Sequence, residues 1–274
     1  MTAYRVAMRR AAHQILDQPR VLDDPIALRI VGSGAEASIR ADRRRYLSKF
    51  GRSLRSFLVA RSRCAEDALA TAVAGGVGQY VVLGAGLDTF AYRNPYPALR
   101  VFEVDFPATQ AWKRKLLANA GIEVPASVTY VPIDFETQTL PERLQACGFR
   151  ADAPAWFSWL GVTMYLTREV VLSTLAFVAQ RPSGSGITFD YLIPPASLPF
   201  IRRIGFYWFA RRLAAAGEPW RTWFDPEELA RELRGLGFSQ HEDLDTHALN
   251  DLYFGGRTGQ LGGRSVGHVM TARR

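Results

Sequence analysis

From Gln79 onward the apolar residues gather in short, nearly unbroken runs, and the stretches between them space their apolar residues three and four apart. The runs are QYVVL (79–83), LRVFEV (99–104), VTYVPI (128–133), AWFSWLGV (155–162) and GITFDYLI (186–193). They are rich in β-branched and aromatic residues and predict strands buried on both faces. Helical spacing fills Pro107 to Ala120, Pro141 to Cys147 and Arg168 to Gln180. Strands alternating with helices predict parallel βαβ units, hence an α/β fold with a doubly wound, Rossmann-like sheet.

The flanks differ. The first 75 residues predict helices only: an amphipathic one from Tyr4 to Leu16, one opening at Asp24-Pro25, and a long one from Ser53 to Val73 that stops before Gly75-Gly76. Asp24 has the chemistry of an N-cap and Pro25 that of a first helical position. Pro194 to Gly217 breaks the alternation with aromatic residues and arginines, including Phe200, Phe206, Tyr207, Trp208 and Phe209. It reads as a helical insertion over the carboxyl edge of the sheet, or as a crossover helix. Asp225-Pro226-Glu227-Glu228 opens a further helix. Ser239 to Leu244 and Ser265 to Thr271 predict the last two strands, with a long loop from Asn250 to Gly263 between them.

Composition excludes several classes. No run reaches the roughly 18 apolar residues of a membrane helix, and Arg9, Arg10, His13 and Asp17 interrupt the N-terminus where a signal peptide would be apolar. A cytoplasmic protein without a membrane partner is expected. Cys64 and Cys147 stand alone, with no metal-ligand spacing to the four histidines, so free thiols and no metal are expected. The net charge of +8 comes from scattered arginines, in short clusters such as 43–45, 202–203 and 211–212, and no nucleic-acid-binding motif accompanies them. A small-molecule partner fits better than a nucleic acid. Oligomeric state is not legible.

The chemistry concentrates where the predicted strands end. The first runs into Gly84-Ala85-Gly86, and glycines there allow a sharp turn and close approach of a ligand to the backbone. The second ends in Glu103-Val104-Asp105, where an acid can accept hydrogen bonds from ribose hydroxyls. The third ends in Asp134, suited to an adenine amino group or to capping the next helix. A dinucleotide fingerprint needs a third glycine where this chain has Thr89, and Asp88 would repel a phosphate. S-adenosylmethionine has no phosphate, and its ammonium and sulfonium suit acids. That cofactor is therefore expected.

At these residues the chain resembles the leucine carboxyl methyltransferase family of class I methyltransferases. The likeness runs through HQILDQPRVLDDPIA (13–27), ARSRCAED (60–67), LGAGLDTFAYR (83–93), FEVDFPATQAWK (102–113), GEPWRTWFDPEEL (217–229) and LNDLYFGGRTGQL (249–261). Its most specific part is the glycine turn with Asp88-Thr89 and Arg93, followed by EVDFP. The resemblance implies a single methyltransferase domain: an N-terminal helical segment (1–75), a cofactor-binding core (76–193), a helical cap (194–224), and a C-terminal helix and strands (225–274). It also implies that Gly84, Ala85, Gly86 and Asp88 line the methionine end of the cofactor, with Asp105 at the ribose and Asp134-Phe135 at the adenine. Arg61 would pair with the cofactor carboxylate, Arg63 being an equal candidate. The family often ends its fourth strand in glutamate-glycine. This chain has Trp159-Leu160-Gly161, so Leu160 replaces the acid, and Trp159 and Leu160 are expected to pack on the cofactor.

The expected reaction is methyl transfer to a small molecule, first to a carboxylate or hydroxyl oxygen, alternatively to carbon or nitrogen of an indole-like ring. No catalytic base announces itself. Tyr165, Tyr191 and Tyr207 are candidate substrate contacts, with Asp190 near the same strand ends. Arginines 202, 203, 211 and 221 would suit an anionic acceptor, and the aromatic run 206–209 a flat one. Two remoter readings are a nicotinamide oxidoreductase and a cofactor-binding protein without turnover.

Overall fold

A computed structural model describes residues 2–134, 137–197, 200–215, 217, 219–255 and 266–274, with side chains except at 200–202, 208, 209, 212 and 213. The apolar runs become strands β1 (Gln79–Leu83), β2 (Arg100–Asp105), β3 (Val128–Pro132), β4 (Ala155–Trp159) and β5 (Gly186–Leu192), joined by β6 (Gln240–Leu244) and β7 (Gly267–Arg273). They form one seven-stranded sheet in the order β3-β2-β1-β4-β5-β7-β6. The pairs among β1 to β5 are parallel, and β7 runs antiparallel to both β5 and β6. β1, β4 and β5 are buried throughout, which is why they read as continuous apolar runs. The edge strands β3 and β6 are the least buried and carry Pro132 and the polar Gln240-His241-Glu242-Asp243, features that blunt an open edge.

The helices are α1 (Thr2–Leu16), α2 (Ile26–Ile30), α3 (Ala35–Ala41), α4 (Arg43–Leu47), α5 (Lys49–Ala74), α6 (Pro107–Asn119), α7 (Leu140–Ala146), α8 (Arg168–Ala179), α9 (Phe200–Ala215), α10 (Pro226–Leu236) and α11 (Thr246–Phe254). One face of the sheet buries Val81, Phe102, Phe157, Phe189 and Met270 under α7, α8 and α10, through Leu144, Leu175 and Leu233. On the other, Val82, Val101 and Trp156 pack on α5 through Leu69 and Ala72. α1 to α3 form a separate core with Leu87 and Leu117. Asp225 caps α10 as expected, its carboxylate accepting from the Glu227 and Glu228 N–H groups.

Two expectations shift. β4 ends at Trp159 rather than Val162, because Gly161 turns the chain at φ +76°. The predicted loop after Asn250 begins inside α11, which Asp245 caps, and its remainder, from 256 on, lies outside the described residues. The 194–217 stretch holds α9, an insertion between β5 and α10. The chain leaves β1 for β2 and β3 on one side and returns to β4 on the other. The carboxyl ends of β1 and β4 thus meet at the switch point where open α/β sheets bind ligands.

Candidate active site

At that switch point β1 delivers Gly84 at φ +65° and Gly86 at φ +43°, both left-handed and so suited to glycine. A Cβ on Gly84 would lie 2.4 Å from Val162 Cγ2, so the loop leaving β4 closes directly on the turn. The turn is braced from β2. Asp105 Oδ2 accepts from the Gly86 N–H at 2.6 Å, and Oδ1 accepts from the Phe106 N–H at 2.7 Å. It is half-buried and keeps lone pairs for a hydroxyl. Asp134 is half-buried beyond β3. Its carbonyl closes a turn with Thr137 and Gln138, while Thr139 precedes α7, so Asp134 does not cap that helix. Phe135 lies outside the described residues.

Glu103 departs from its expected role. It and Lys113 are each 1% exposed and bond at 2.8 Å, and its second oxygen accepts from Tyr92 Oη. A strand rises about 3.3 Å per residue, so Glu103 sits two residues back from the edge that Asp105 occupies, under α6. Burial pushes its carboxyl up against the opposing pull of Lys113. Of the two acids on β2, only Asp105 stands half-buried at the strand's carboxyl end.

Asp88 does not stand open beside the turn either. Arg10, from α1, donates to Asp88 at 2.9 Å, to Asp24 at 2.6 Å and to Thr89 Oγ1 at 2.7 Å, and Thr89 donates in turn to Asp24. Burial opposes ionisation of Asp88, but Arg10, then Lys113 and the Phe90 N–H, outweigh it and hold the carboxyl below its ordinary value. Arg93 completes the group as a two-pronged donor to Glu66 on α5. The resembling segments 13–27, 60–67 and 83–93 thus converge in one buried charge network, which explains Asp88, Thr89 and Arg93 without any direct ligand contact. Arg10 escaped sequence reading, although its place among Ala7, Met8, Ala11 and Ala12 on the buried side of α1 signalled it.

Arg61 is brought to the site and Arg63 is not. Arg63 lies half-exposed, paired with Asp67 on its own helix. Arg61 reaches from α5 to the exit of β4. Its Nη1 donates to Asp190 Oδ2 at 2.5 Å, and its guanidinium packs on Gly161, where a Cβ would come within 2.8 Å of Nη2. The Gly161 N–H donates to Asp190 Oδ1 at 2.5 Å. Arg61 Nε is buried without a hydrogen-bond partner.

Trp159 and Tyr191 prove to be core residues. Both point to the α8–α10 face, Trp159 3% and Tyr191 1% exposed, Tyr191 against Phe224 and His268. Leu160 and Tyr165 are half-buried in the β4 exit, while Tyr207 on α9 is 53% exposed. Two further aromatic residues pair beside the chain that crosses the strand ends. Phe206 is buried against Trp220, ring centroids 5.2 Å apart. The chain after Trp220 is tied down by Arg221 N–H to Met164 O (2.7 Å), Thr222 Oγ1 to Leu166 O (2.5 Å) and Phe224 N–H to Leu192 O (2.9 Å).

These residues suit S-adenosylmethionine. A buried guanidinium Nε without a partner asks for a carboxylate, and the half-buried carboxylate of Asp105 is an acceptor for hydroxyl groups. Among the described residues no group of three or more His, Cys, Asp or Glu side chains is placed to hold a metal, and no helix is long and apolar enough to cross a membrane.

Comparison with known proteins agrees with the geometry. Residues 3–179 match the family model of leucine carboxyl methyltransferase. A protein of Bacillus subtilis (strain 168), YktD, named as an S-adenosyl-L-methionine-dependent methyltransferase, is 30% identical over 99% of this chain and 97% of its own length. A similarly named protein of Mycobacteroides abscessus is 32% identical over 60% of this chain and 55% of its own. Two crystal structures share the fold at 17% identity: a methyltransferase-named protein from Thermobifida fusca YX (TM-score 0.58, 98% of this chain, 94% of that one) and a DUF574 family protein from Streptomyces avermitilis MA-4680 (TM-score 0.55, 98% and 97%). With a sheet ordered around the β1/β4 switch and a match to the family model over 3–179, the chain belongs to the leucine carboxyl methyltransferase family of S-adenosylmethionine-dependent methyltransferases.

Proposed function

We propose that this methyltransferase transfers the methyl group of S-adenosylmethionine to an oxygen of a small molecule, a carboxylate or hydroxyl carried on a flat apolar body. Family membership sets aside the nicotinamide reading. The observation that carries the proposal is the aromatic cover over the β4 and β5 exits, with Phe206 buried against Trp220 and residues 221–224 bonded to Met164, Leu166 and Leu192. Such a wall favours a flat acceptor, whereas Arg211 and Arg221 are exposed. Arg203 is half-buried, and Arg202 falls outside the described side chains.

Bound S-adenosylmethionine supplies an electrophilic methyl group on a sulfonium. The chain's part is to align the acceptor and exclude water. The Phe206–Trp220 cover does the second. Among the described residues, Asp88, Glu103 and Asp190 are each bound to a cation, which makes them poor proton acceptors. A carboxylate is ionised at neutral pH and needs no base, which favours it over a hydroxyl. The aromatic pair also supports a second reading, methylation of ring carbon or nitrogen.

The test is a panel of aromatic carboxylic acids, phenols and indoles incubated with the enzyme and methyl-labelled cofactor. The proposal expects label in an ester that alkali releases as methanol, or in an ether. Alkali-stable label on ring carbon or nitrogen supports the second reading instead. Phe206→Ala is expected to raise the acceptor KM and leave S-adenosylhomocysteine affinity unchanged.

A further inference from the structure

Arg61 and Asp190 form a buried ion pair, with side chains 8% and 1% exposed. Burying two charges costs desolvation that their attraction often fails to recover, and apolar residues would serve stability as well. The geometry suggests why the pair is there. Asp190 commits both carboxylate oxygens and its carbonyl to the site's framework: Oδ2 accepts from Arg61 Nη1, Oδ1 from the Gly161 N–H, and the carbonyl from Thr163 Oγ1 at 2.6 Å. One residue of β5 thereby fixes both α5 and the loop leaving β4. The guanidinium is held by its Nη1 end only. Nε is buried without a partner, and Nη2 lies against Gly161, where φ +76° and the lack of a Cβ permit the approach. Nε and Nη2 share one edge of the guanidinium, and their parallel N–H bonds match the two oxygens of a carboxylate. The acid that meets this loop comes from β5, since residue 160 of β4's own exit is leucine.

We propose that Asp190 is the positioning residue for the cofactor's amino-acid end: gripping Arg61 and Gly161 together, it aims the Nε/Nη2 edge of Arg61 at the cofactor carboxylate. This rests on the reading that S-adenosylmethionine occupies the β1/β4 switch point. Asp190 touches neither the reacting atoms nor the acceptor. Its removal weakens carboxylate capture and spares the nucleoside contact at Asp105.

The experiment compares two ligands that differ at that end. S-adenosylhomocysteine carries the amino acid, and 5′-methylthioadenosine keeps the nucleoside and thioether without it. Affinities are measured by calorimetry, directly and by displacement, for the wild-type chain, Asp190→Asn, Arg61→Lys and the double variant. Each single change is expected to weaken S-adenosylhomocysteine about 10-fold, the order of one charge-assisted hydrogen bond. The double variant should be no weaker than the worse single one, because both disrupt one device. Methylthioadenosine affinity should stay at the wild-type value. Unchanged S-adenosylhomocysteine affinity in Asp190→Asn overturns the proposal, and so does an equal loss for both ligands, which would make Asp190 a prop for the loop alone. Should Asp190→Asn not fold, Arg61→Lys must still show the selective loss. A wild-type chain that binds neither ligand defeats the cofactor reading itself, a separate outcome.

Discussion

The two halves of this site are built differently. On the cofactor side, backbone turns and buried charges leave little freedom. Gly84 and Gly86 are left-handed, Asp105 bonds the Gly86 N–H, and Arg10, Asp24, Asp88, Thr89, Arg93 and Glu66 interlock α1, α5 and the loop after β1. On the acceptor side, Ile204 and Tyr207 of α9 and the neighbouring Trp223 are exposed, and the cover holds through the Phe206–Trp220 pair and a few backbone bonds. On the proposed function, the contrast assigns specificity. A side fixed by buried ions serves one ligand, and a side made of exposed aromatic and basic residues can change without disturbing the fold.

The largest expected effect breaks the rigid side. Arg10→Ala strands Asp24, a fully buried carboxylate, and removing one member of a buried pair costs about 3–5 kcal/mol. Arg93, whose Nε lies 3.4 Å from Asp24, keeps the loss at the lower end, and urea unfolding measures it. Gly84→Ala comes next. It meets Val162 and forces a side chain into a left-handed position, for a combined loss of about 2–4 kcal/mol with S-adenosylhomocysteine binding abolished.

Acid provides a smaller test. Burial would raise the Asp17 carboxyl, but hydrogen bonds from Arg55 and His13 overcome this and lower it to about 2. A carboxyl depressed in the folded state stabilises above the ordinary carboxylate range, and that contribution is lost as pH falls from about 4 towards 2. Allowing for solvent screening at a partly exposed group, the loss is about 1–2 kcal/mol, and Asp17→Asn should flatten the thermal-stability profile over that window. The smallest effect belongs to the loose side: Arg211→Ala and Arg221→Ala should each change stability by less than about 0.5 kcal/mol, as thermal unfolding would show. A large loss from either would bring the two halves closer together than the structure suggests.

The same contrast governs what could be read from sequence. β1 appears over the residues expected, 79–83, because a strand buried on both faces must be a continuous apolar run. The glycine turn and Asp105 were legible because chain direction alone puts them at a strand's carboxyl end. Facing was not. Asp190 and Tyr191 are neighbours, yet successive strand residues point to opposite faces, so one meets Arg61 of α5 and the other Phe224 in the core. Trp159 and Glu103 were misplaced in the same way, the first by its face and the second by its depth below the edge. Nor did spacing reveal that segments around residues 10, 24, 66 and 88 meet, since their contacts span up to 79 positions. The insertion after β5 was legible as a helix but not by its contacts, because Phe206, Trp220 and Met164 come from three separate stretches.

The most direct measurement is a crystal structure of the S-adenosylhomocysteine complex. The account predicts the nucleoside at the carboxyl ends of β1 and β4, the ribose at Asp105, and the amino-acid carboxylate on the Nε/Nη2 edge of Arg61, with Asp190 still gripping its far end. A ligand seated under α9 with no contact to residues 84–86, or a carboxylate held by another cation while Arg61 faces only Asp190, would contradict it.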